Sequence, residues 1–258
     1  MLKSIRLEGF KLDNLDIKIT DKIKEKMSIN KITTESLRLG VLLAIVGGFL
    51  DAYTYVARGG IFANAQTGNI VLVSIELSKG QWMQALLHMP PILAFIVGVV
   101  VAESIKKSPP KLFIKDSVRT ILLLEIVVLF IIGFVPNTVP NSFVTVTISF
   151  VASVQVATFR KLHDYPYSTT MSTGNLYSAS QAAYVAVVNK DKKSALKALG
   201  YFTIIFSFVV GAFLGGLTTS YIGVKAIWGA AIVLVLAVTL LSISEIKRIT
   251  TGSNAASD

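Results

Sequence analysis

The sequence predicts an all-α polytopic membrane protein with six transmembrane helices and two shorter half-helices, arranged as two inverted-topology repeats. Hydrophobic residues make up 53% of the 258 residues, charged residues only 16%, and the mean hydropathy is +0.65. A soluble domain could not hide so much apolar surface beneath a polar shell. The tripeptide Thr-Gly-Asn also occurs twice, at 67–69 and at 173–175, and each copy opens a short apolar run.

The first 38 residues precede the first apolar run and carry nine basic and six acidic residues. They lack the apolar core and small-residue cleavage site of a secretory signal. We expect a basic cytoplasmic tail that is flexible or lies on the membrane surface. The stretch DIKITDKIKEKMSINKI could instead form a short interfacial helix, or the end of the tail could act only as the positive anchor of the first span.

Eight apolar segments follow the tail. Six are long enough to be membrane spans, because about 20 apolar residues cross the hydrocarbon core. The other two are shorter and begin close to the Thr-Gly-Asn tripeptides. The predicted spans are 39–57, 84–104, 119–135, 143–159, 197–219 and 226–243, and the shorter segments are 65–78 and 172–188.

The basic residues indicate how these segments meet the bilayer, since cytoplasmic loops carry an excess of Lys and Arg. Suppose that each short segment dips into the membrane and returns to the side it came from. All 25 basic residues except Arg58, Lys79 and Lys225 then lie on the cytoplasmic side. If the short segments spanned, the cluster from Lys106 to Arg119 would lie outside. The charges therefore predict six spans with both termini in the cytoplasm.

The order span, Thr-Gly-Asn segment, span, span occurs twice, and the second copy starts on the opposite side. This pattern predicts inverted repeats over 39–136 and 137–245, related by a two-fold axis in the membrane plane, followed by a cytoplasmic tail, 246–258. TGNIVLVS aligns with TGNLYSAS, and Gly98 and Gly211 fall late in the equivalent third elements.

Each Thr-Gly-Asn tripeptide is predicted to begin a re-entrant half-helix. Thr is a good N-cap residue, Gly lets the backbone bend, and Asn offers donors and an acceptor. In an inverted arrangement the two helix N-termini could meet near the midplane, and their free N–H groups favour an anion or a carboxylate-bearing solute. The structural alternative is that the tripeptide only allows tight packing and one side-chain hydrogen bond between helices.

Asp51 lies about two thirds of the way along the first predicted span. A carboxylate at membrane depth is costly, which makes it a functional candidate. It could carry a coupling proton or cation, pair with Arg58, or cap the dipole of the 65–78 helix. Gln155 or Val156 takes the equivalent place in the second half, so only one half would carry the charge.

Three more charged residues are candidates for a role in the membrane. Glu125 lies within LLLEIVV in the third span, and it could face the bundle interior or snorkel to the cytoplasmic surface. Arg160 and Asp164 follow the fourth span and look like part of a cytoplasmic anchor. At helical i, i+4 spacing they could instead form a gate.

Several classes of function are not expected. The chain has no cysteine, and its two histidines share no helical spacing, so neither a metal site nor another cofactor is expected. The sequence lacks a GxSxG motif with a plausible histidine, an HExxH motif and a pair of membrane aspartates. It therefore gives no indication of an enzyme. The net charge of +10 does not indicate nucleic-acid binding, because the basic residues lie where membrane topology requires them.

GGFLDAYTYVARGGIFANAQTGNIVLVSIELSKG resembles the first signature of the YoaK family, a group of bacterial membrane proteins filed as a domain of unknown function. Its pattern, G-x-x-D-A and then F-x-x-N-x-T-G-N, falls on Asp51, Ala52, Phe62 and 67–69, with Asn64 one residue before the position of the pattern's Asn. The resemblance covers about 38 to 245. It implies a small multispan protein of the bacterial inner membrane, with no substrate that can be carried over.

The second family signature, G-x-Q-N-A and then T-x-x-T-G-x-L, is matched less closely. The stretch of this chain that resembles it has Val156 where the family usually has Asn, and Ser153 where the family often has Gly. The matching positions are Gln155, Ala157, Thr170, Thr173, Gly174 and Leu176.

The leading functional hypothesis is a secondary transporter or channel for a small polar or anionic solute bound near the midplane. Its partners would be the lipid bilayer, the solute and a coupling proton or cation at Asp51. The sequence is also compatible with a homo-oligomer. The alternatives are a non-transporting scaffold or sensor subunit and, with less support, an intramembrane enzyme. The candidate solute-binding residues are Tyr55, Asn64, Thr67, Gly68, Asn69, Gln155, Thr173, Gly174 and Asn175.

Overall fold

A computed structural model describes residues 36–107, 117–162 and 165–254. These residues form eight α-helices, a 3-10 turn and one short β-hairpin. The helices are α1 Leu37–Ala57, α2 Gln66–Ser78, α3 Trp82–Lys107, α4 Ser117–Ile132, α5 Asn141–Thr158, α6 Ser172–Asn189, α7 Lys192–Ile222 and α8 Trp228–Asn254. The turn is Gly223–Ile227, and strands β1 Lys161–Leu162 and β2 Tyr165–Pro166 pair antiparallel.

All eight apolar segments predicted from the sequence coincide with a helix, within a few residues at most boundaries. Two details differ from the prediction. The hairpin between α5 and α6 makes the fold mostly rather than entirely helical. Helix α8 runs on to Asn254, so most of the predicted tail 246–258 continues that helix. Residues 1–35 of the predicted N-terminal tail, including its proposed interfacial helix, lie outside the described residues.

Four helical stretches in the described part of the chain are long and apolar enough to cross a bilayer. They are α1, α3, α5 and a continuous stretch, Lys192–Ile243, that contains α7 and most of α8. Helix α4 has 16 residues and helix α2 has 13, or about 24 Å and about 20 Å at 1.5 Å per residue. Both are shorter than the roughly 30 Å hydrocarbon core. Six spans therefore stay a prediction.

Helices α1 and α5 form the interior of the molecule. Helix α1 packs against α7 and α8, and α5 packs against α3 and α4. Small and apolar side chains recur along both buried helices. Helices α3 and α7 expose apolar side chains on their outward faces. An apolar outer surface around a buried core is typical of a helix bundle that sits in lipid.

Glycines allow the backbones of α1 and α7 to touch. A Cβ on Gly211 would overlap the carbonyl of Ile45, and one on Gly215 would lie 2.6 Å from the carbonyl oxygen of Phe49. Both contact positions advance by four residues together, so the two helices run parallel. Such close approach is the usual way in which membrane helices gain van der Waals contact.

Helices α3 and α5 make the corresponding contact. A Cβ on Gly98 would lie 2.6 Å from the carbonyl oxygen of Phe150. About two turns later, the Lys106 ammonium group donates to the carbonyl of Ala157 at 2.6 Å. This helix pair is therefore also parallel, and the ends of α3 and α5 lie on the same side of the bundle.

Arg58 closes the end of α1 against the end of α4. Its guanidinium group is fully buried and donates to the Val135 carbonyl at 2.8 Å and to the Pro136 carbonyl at 3.4 Å. These carbonyls follow the last turn of α4, where a positive charge is favourable. The predicted alternative that Asp51 pairs with Arg58 was therefore wrong, because two helical turns separate the residues and Arg58 is used at α4.

Candidate functional site

The carboxylate of Asp51 accepts hydrogen bonds from the backbone just before α2. Its Oδ1 accepts from the N–H of Asn64 at 2.6 Å and from the N–H of Ala65 at 3.3 Å. The residue is only 4% exposed, and its Oδ2 has no hydrogen-bond partner among the described residues. Asp51 therefore has a structural role at the start of α2, where it holds the two residues before the first turn, and coupling stays a prediction.

Asn64 connects the loop before α2 to the middle of α1. Its amide nitrogen donates to the carbonyl of Gly47 at 3.3 Å. Gly47 lies at the centre of α1, one helical turn before Asp51, so the two residues share a helix face. The Asn64 Oδ1 atom is buried and has no hydrogen-bond partner in the described part of the chain.

The loop before α6 reaches the same glycine from the other half of the chain. A Cβ on Gly47 would lie 2.6 Å from the Thr170 methyl group and 3.6 Å from the Thr169 carbonyl oxygen. Both threonines are buried, and neither hydroxyl has a hydrogen-bond partner within the described ranges. The loops that lead into α2 and α6 thus converge at mid-helix on α1.

These five residues, Gly47, Asp51, Asn64, Thr169 and Thr170, are called the polar cluster below. It contains four buried oxygen atoms without a hydrogen-bond partner among the described residues. Leaving buried polar atoms unpaired costs free energy, so native proteins satisfy nearly all of them with protein, water or ligand. Carboxylate, amide and hydroxyl oxygens suit a cation or a solute rich in hydrogen-bond donors.

The two Thr-Gly-Asn tripeptides use their asparagines in the same way. The Asn69 side chain donates to the carbonyl of Phe62 at 2.8 Å and accepts from its N–H at 3.0 Å. The Asn175 side chain does the same with Ser168, at 2.6 Å and 3.2 Å. Each asparagine is buried and pins the backbone seven residues before it. The amides are therefore engaged by the protein itself, but by the backbone of the preceding loop and not by another helix, which differs from the structural alternative.

The threonines of the tripeptides do not cap their helices, so that part of the prediction was wrong. The N-cap residues are Ala65 and Met171, and neither makes a side-chain cap. Thr67 and Thr173 are the second residues of α2 and α6 and are exposed. A capping side chain must precede the first turn to accept from its N–H groups. At both threonines the chain has already entered the helix.

The two tripeptide glycines differ in their surroundings. The Phe62 ring packs onto Gly68, where a Cβ would lie 2.8 Å from the ring, and Gly174 has open space around it. Tyr55 stacks on the same Phe62 ring at 4.9 Å between centroids and is 48% exposed. Tyr55 and Gly68 therefore sit on the outer side of the loop before α2, and the structure does not bring them into the polar cluster.

Gln155 also lies outside the polar cluster. Its amide donates to the Glu125 carboxylate at 2.9 Å, and both side chains are 1% exposed. Glu125 therefore faces the bundle interior, which the sequence left open. Interior placement could not be read from LLLEIVV, because apolar residues surround the glutamate on every side of the helix.

The gate predicted from Arg160 and Asp164 rested on helical spacing, and this premise was wrong. Helix α5 ends at Thr158, and the chain enters strand β1 at Lys161. Arg160 is exposed at this turn. Asp164 lies outside the described residues. The i, i+4 spacing brings two side chains together only on a continuous helix, and the helix has ended before Arg160.

Replacing either tripeptide asparagine by alanine is expected to destabilise the protein by about 2 kcal/mol, because one backbone N–H and one carbonyl lose their partner. Thermal unfolding of Asn69→Ala and Asn175→Ala in detergent would measure the loss. Asn189→Ala, at the exposed end of α6, serves as control and should change little. A large loss for one asparagine and none for the other would contradict the equivalence of the two sites.

Comparison with known proteins agrees with the helical membrane fold. The family model described as "Protein of unknown function (DUF1275)" matches residues 39–240. The UPF0700 transmembrane protein YoaK of Bacillus subtilis (strain 168) is 27% identical over 140 residues, which cover 53% of this chain and 62% of that protein, less than two thirds of its length. No solved structure matches the chain. The protein thus belongs to the DUF1275 family of membrane proteins, as its two signatures indicate, and the function of this family is unknown.

Proposed function

We propose that this membrane protein is a secondary transporter or channel for a small polar solute, and not an enzyme. The observation that carries the proposal is the meeting of the two loops at Gly47. One comes from each half of the chain, both reach the middle of α1, and they leave four unpaired oxygens there. Substrate sites of transporters with internal repeats lie near the midplane at the repeat interface.

The pairing of the helices supports two repeats, α1–α4 and α5–α8. Exchanging the repeats turns the α1–α7 contact into α5–α3, the α2–α3 contact into α6–α7, and the α4–α5 contact into α8–α1. All six of these pairs pack in the structure, and α1–α5 and α4–α8 pack across the axis itself. A pseudo-two-fold relation accounts for this pattern in the simplest way.

The helix directions support an inverted relation between these repeats. Gly59, just after α1, lies beside Asn141, which begins α5; a Cβ on Gly59 would be 3.2 Å from the Asn141 amide nitrogen. The end of one inner helix thus meets the start of the other, so α1 and α5 run in opposite directions. If each inner helix spans the bilayer, the repeats are upside down relative to one another.

The distribution of charge supports six spans, with both termini in the cytoplasm of a bacterial inner membrane. The ends of α3 and α5 share one side of the bundle, as Lys106 and Ala157 show. That side also carries Arg160 and Lys161, in agreement with the excess of positive charge expected of a cytoplasmic face. Helices α2 and α6 would then be the two re-entrant elements.

The chemistry of the polar cluster favours one class of solute. The Asp51 carboxylate already accepts hydrogen bonds from the N–H groups of Asn64 and Ala65. A negative charge therefore already lies at the positive N-terminus of α2. An anion there would be repelled, whereas a cation or a donor-rich solute would find oxygens on Asp51, Asn64 and the two threonines. We therefore favour a polar solute that donates hydrogen bonds, or a coupling cation, over an anion.

The test is ligand-induced stabilisation of the purified protein. Cations, amines, amides, nucleobases and small anions would be screened by thermal shift. A ligand at 100 times its Kd adds about 2.7 kcal/mol to folding. Asp51→Asn retains an oxygen for the backbone cap but removes the charge, and it should abolish stabilisation by a cation. Thr170→Val removes one hydroxyl at nearly constant volume and should weaken binding of any ligand of the cluster.

Glu76→Gln is the matched control, because Glu76 lies at the opposite end of α2 from the polar cluster, where it pairs with Lys79 at 3.1 Å. It should leave every ligand response unchanged. If no ligand stabilises the protein, and if Asp51→Asn and Thr170→Val are as stable as the parent, the transporter proposal fails. A non-transporting scaffold or sensor subunit would then be favoured.

A further inference from the structure

A second buried carboxylate lies apart from the polar cluster. Glu125 occupies the middle of α4, and one of its oxygens accepts from the Gln155 amide on α5 at 2.9 Å. Its other oxygen, Oε1, is buried and has no hydrogen-bond partner among the described residues. The proposed solute site does not use this pair, which joins the last helix of the first repeat to the first helix of the second.

Among the side chains that the structure describes, no cation faces Glu125 from the main elements that pack against α4, which are α5, α8 and the 3-10 turn. Helix α5 contains no ionisable side chain, and neither does α8 over residues 228–243. The turn contributes Lys225, which is exposed beyond the end of α4. On α4 itself Arg119 is six residues away, on a different face, and Arg58 binds carbonyls beyond the helix end.

A buried carboxylate in this setting is strongly disfavoured as an anion. Removing its charge from water costs several kcal/mol, and one neutral amide donor does not compensate for that cost. Proteins relieve such a cost by pairing the charge, binding a cation or taking up a proton. Pairing is not offered by the described surroundings, and the single side-chain partner is too few ligands for a metal cation.

The partner of Glu125 suits a proton. A glutamine carries both a donor group and an acceptor group, and its two ends are assigned from the hydrogen-bond network. The Gln155 NH₂ group can donate to an ionised Glu125, as it stands here. After a half-turn of the amide, its carbonyl oxygen can accept from the protonated Glu125 hydroxyl. Gln155 can therefore keep a hydrogen bond to Glu125 in both protonation states.

We propose that Glu125 is a proton-binding site at the α4–α5 contact, separate from the polar cluster, and that Gln155 is its positioning partner. The proton adds to a carboxylate oxygen and no other bond changes. Because α4 and α5 belong to different repeats, protonation acts on the contact between the repeats: the neutral pair favours the closed contact, and the ionised form weakens it. This inference stands whether or not the polar cluster binds a solute.

Infrared difference spectroscopy of the purified protein in lipid, titrated with acid and base, is the direct test. A protonated carboxyl group has a carbonyl-stretching band that an ionised one lacks. We expect such a band at neutral pH, lost in Glu125→Gln and shifted in Gln155→Leu. The band should remain in Asp51→Asn and in Glu103→Gln, whose parent side chain is exposed and bonded to Lys106.

Thermal unfolding over a pH series gives a second readout. At neutral pH the folded state would hold a proton on Glu125 that the unfolded state releases, so the folded state binds more protons and stability falls as pH rises. Glu125→Gln should remove this part of the slope, and Gln155→Leu should change its midpoint. The Gln155→Leu band shift also keeps the proposal testable if Glu125→Gln does not fold.

Two results would overturn the proposal. One is an infrared spectrum that Glu125→Gln leaves unchanged throughout the titration. The other is stabilisation by sodium or potassium ions that depends on Glu125, which would make the site a cation site. Failure of the solute-binding proposal is recognised separately, because it appears as a lack of response to Asp51→Asn and Thr170→Val while the Glu125 band persists.

Discussion

Gly211→Ala is expected to destabilise the protein by about 3 kcal/mol or more, or to prevent its folding, because the new methyl group has no space. It would overlap the carbonyl of Ile45 on α1. This obstacle is backbone inside a continuous helix, so it cannot rotate away as a flexible side chain would. Relief requires α1 and α7 to separate, with loss of contact along the most extensive helix pair.

The neighbouring Gly216 provides the matched control. In Gly216→Ala the new methyl group would come no closer than 4.0 Å to Ala52. Residue type, helix and solvent are the same, and alanine has the higher helix propensity, so stability should be unchanged or slightly raised. Equal melting temperatures for Gly211→Ala and Gly216→Ala in the same detergent would contradict the close α1–α7 packing.

The contact between α3 and α5 extends this prediction. Gly98→Ala would press on the Phe150 carbonyl and on the Ser153 hydroxyl of α5. It should therefore be destabilising in the same range as Gly211→Ala, although the serine can turn aside. Because the Ser153 side chain is one of the two obstacles, the double variant Gly98→Ala/Ser153→Gly should recover part of the lost stability. No recovery would mean that the backbone contact with Phe150 alone sets the cost.

Arg58→Met is expected to lower the free energy of unfolding by about 3 kcal/mol, because charge-assisted hydrogen bonds to buried carbonyls are lost together. Val135 and Pro136 would each keep an unpaired carbonyl beyond the last turn of α4. Methionine retains much of the apolar volume of the arginine stem, so the change mainly tests the polar contacts. Chemical unfolding in detergent, followed by circular dichroism, measures the effect.

Two comparisons sharpen the test of Arg58. Arg58→Lys keeps the charge, but a single ammonium group cannot reach all the acceptors that a guanidinium fork bridges, so we expect an intermediate loss. Lys225→Met removes an exposed positive charge near the same end of the bundle and should change stability by less than about 0.5 kcal/mol. A loss for Arg58→Met no greater than that for Lys225→Met would contradict the structural role of Arg58.

The sequence was sufficient to predict where the helices lie. Each apolar run has a length and a polar boundary that are local properties, and the eight helices follow them closely. The equivalence of Asn69 and Asn175 could also be predicted, because both asparagines occupy the same place in a repeated tripeptide. Their partners could not, since Phe62 and Ser168 are seven residues away and carry no common side chain.

The roles of single polar residues depended on the tertiary structure. Asp51 had three open roles, and only the return of the chain to α1 placed the N–H groups of Asn64 and Ala65 on its carboxylate. Glu125 could face inward or outward on an evenly apolar helix, and the position of α5 decided that it meets Gln155. Contacts between residues far apart in sequence leave no local signal.

The amino-acid sequence by itself therefore determined the membrane class, the order and extent of the helices, and the two-part pattern of the chain, because hydrophobic length and charge are read residue by residue. Only the tertiary structure decided that the two loops meet at Gly47, that the tripeptide threonines face outward, and that Arg58 serves α4. These features arise from close packing between distant segments, where small residues set the distance and buried polar groups must find partners.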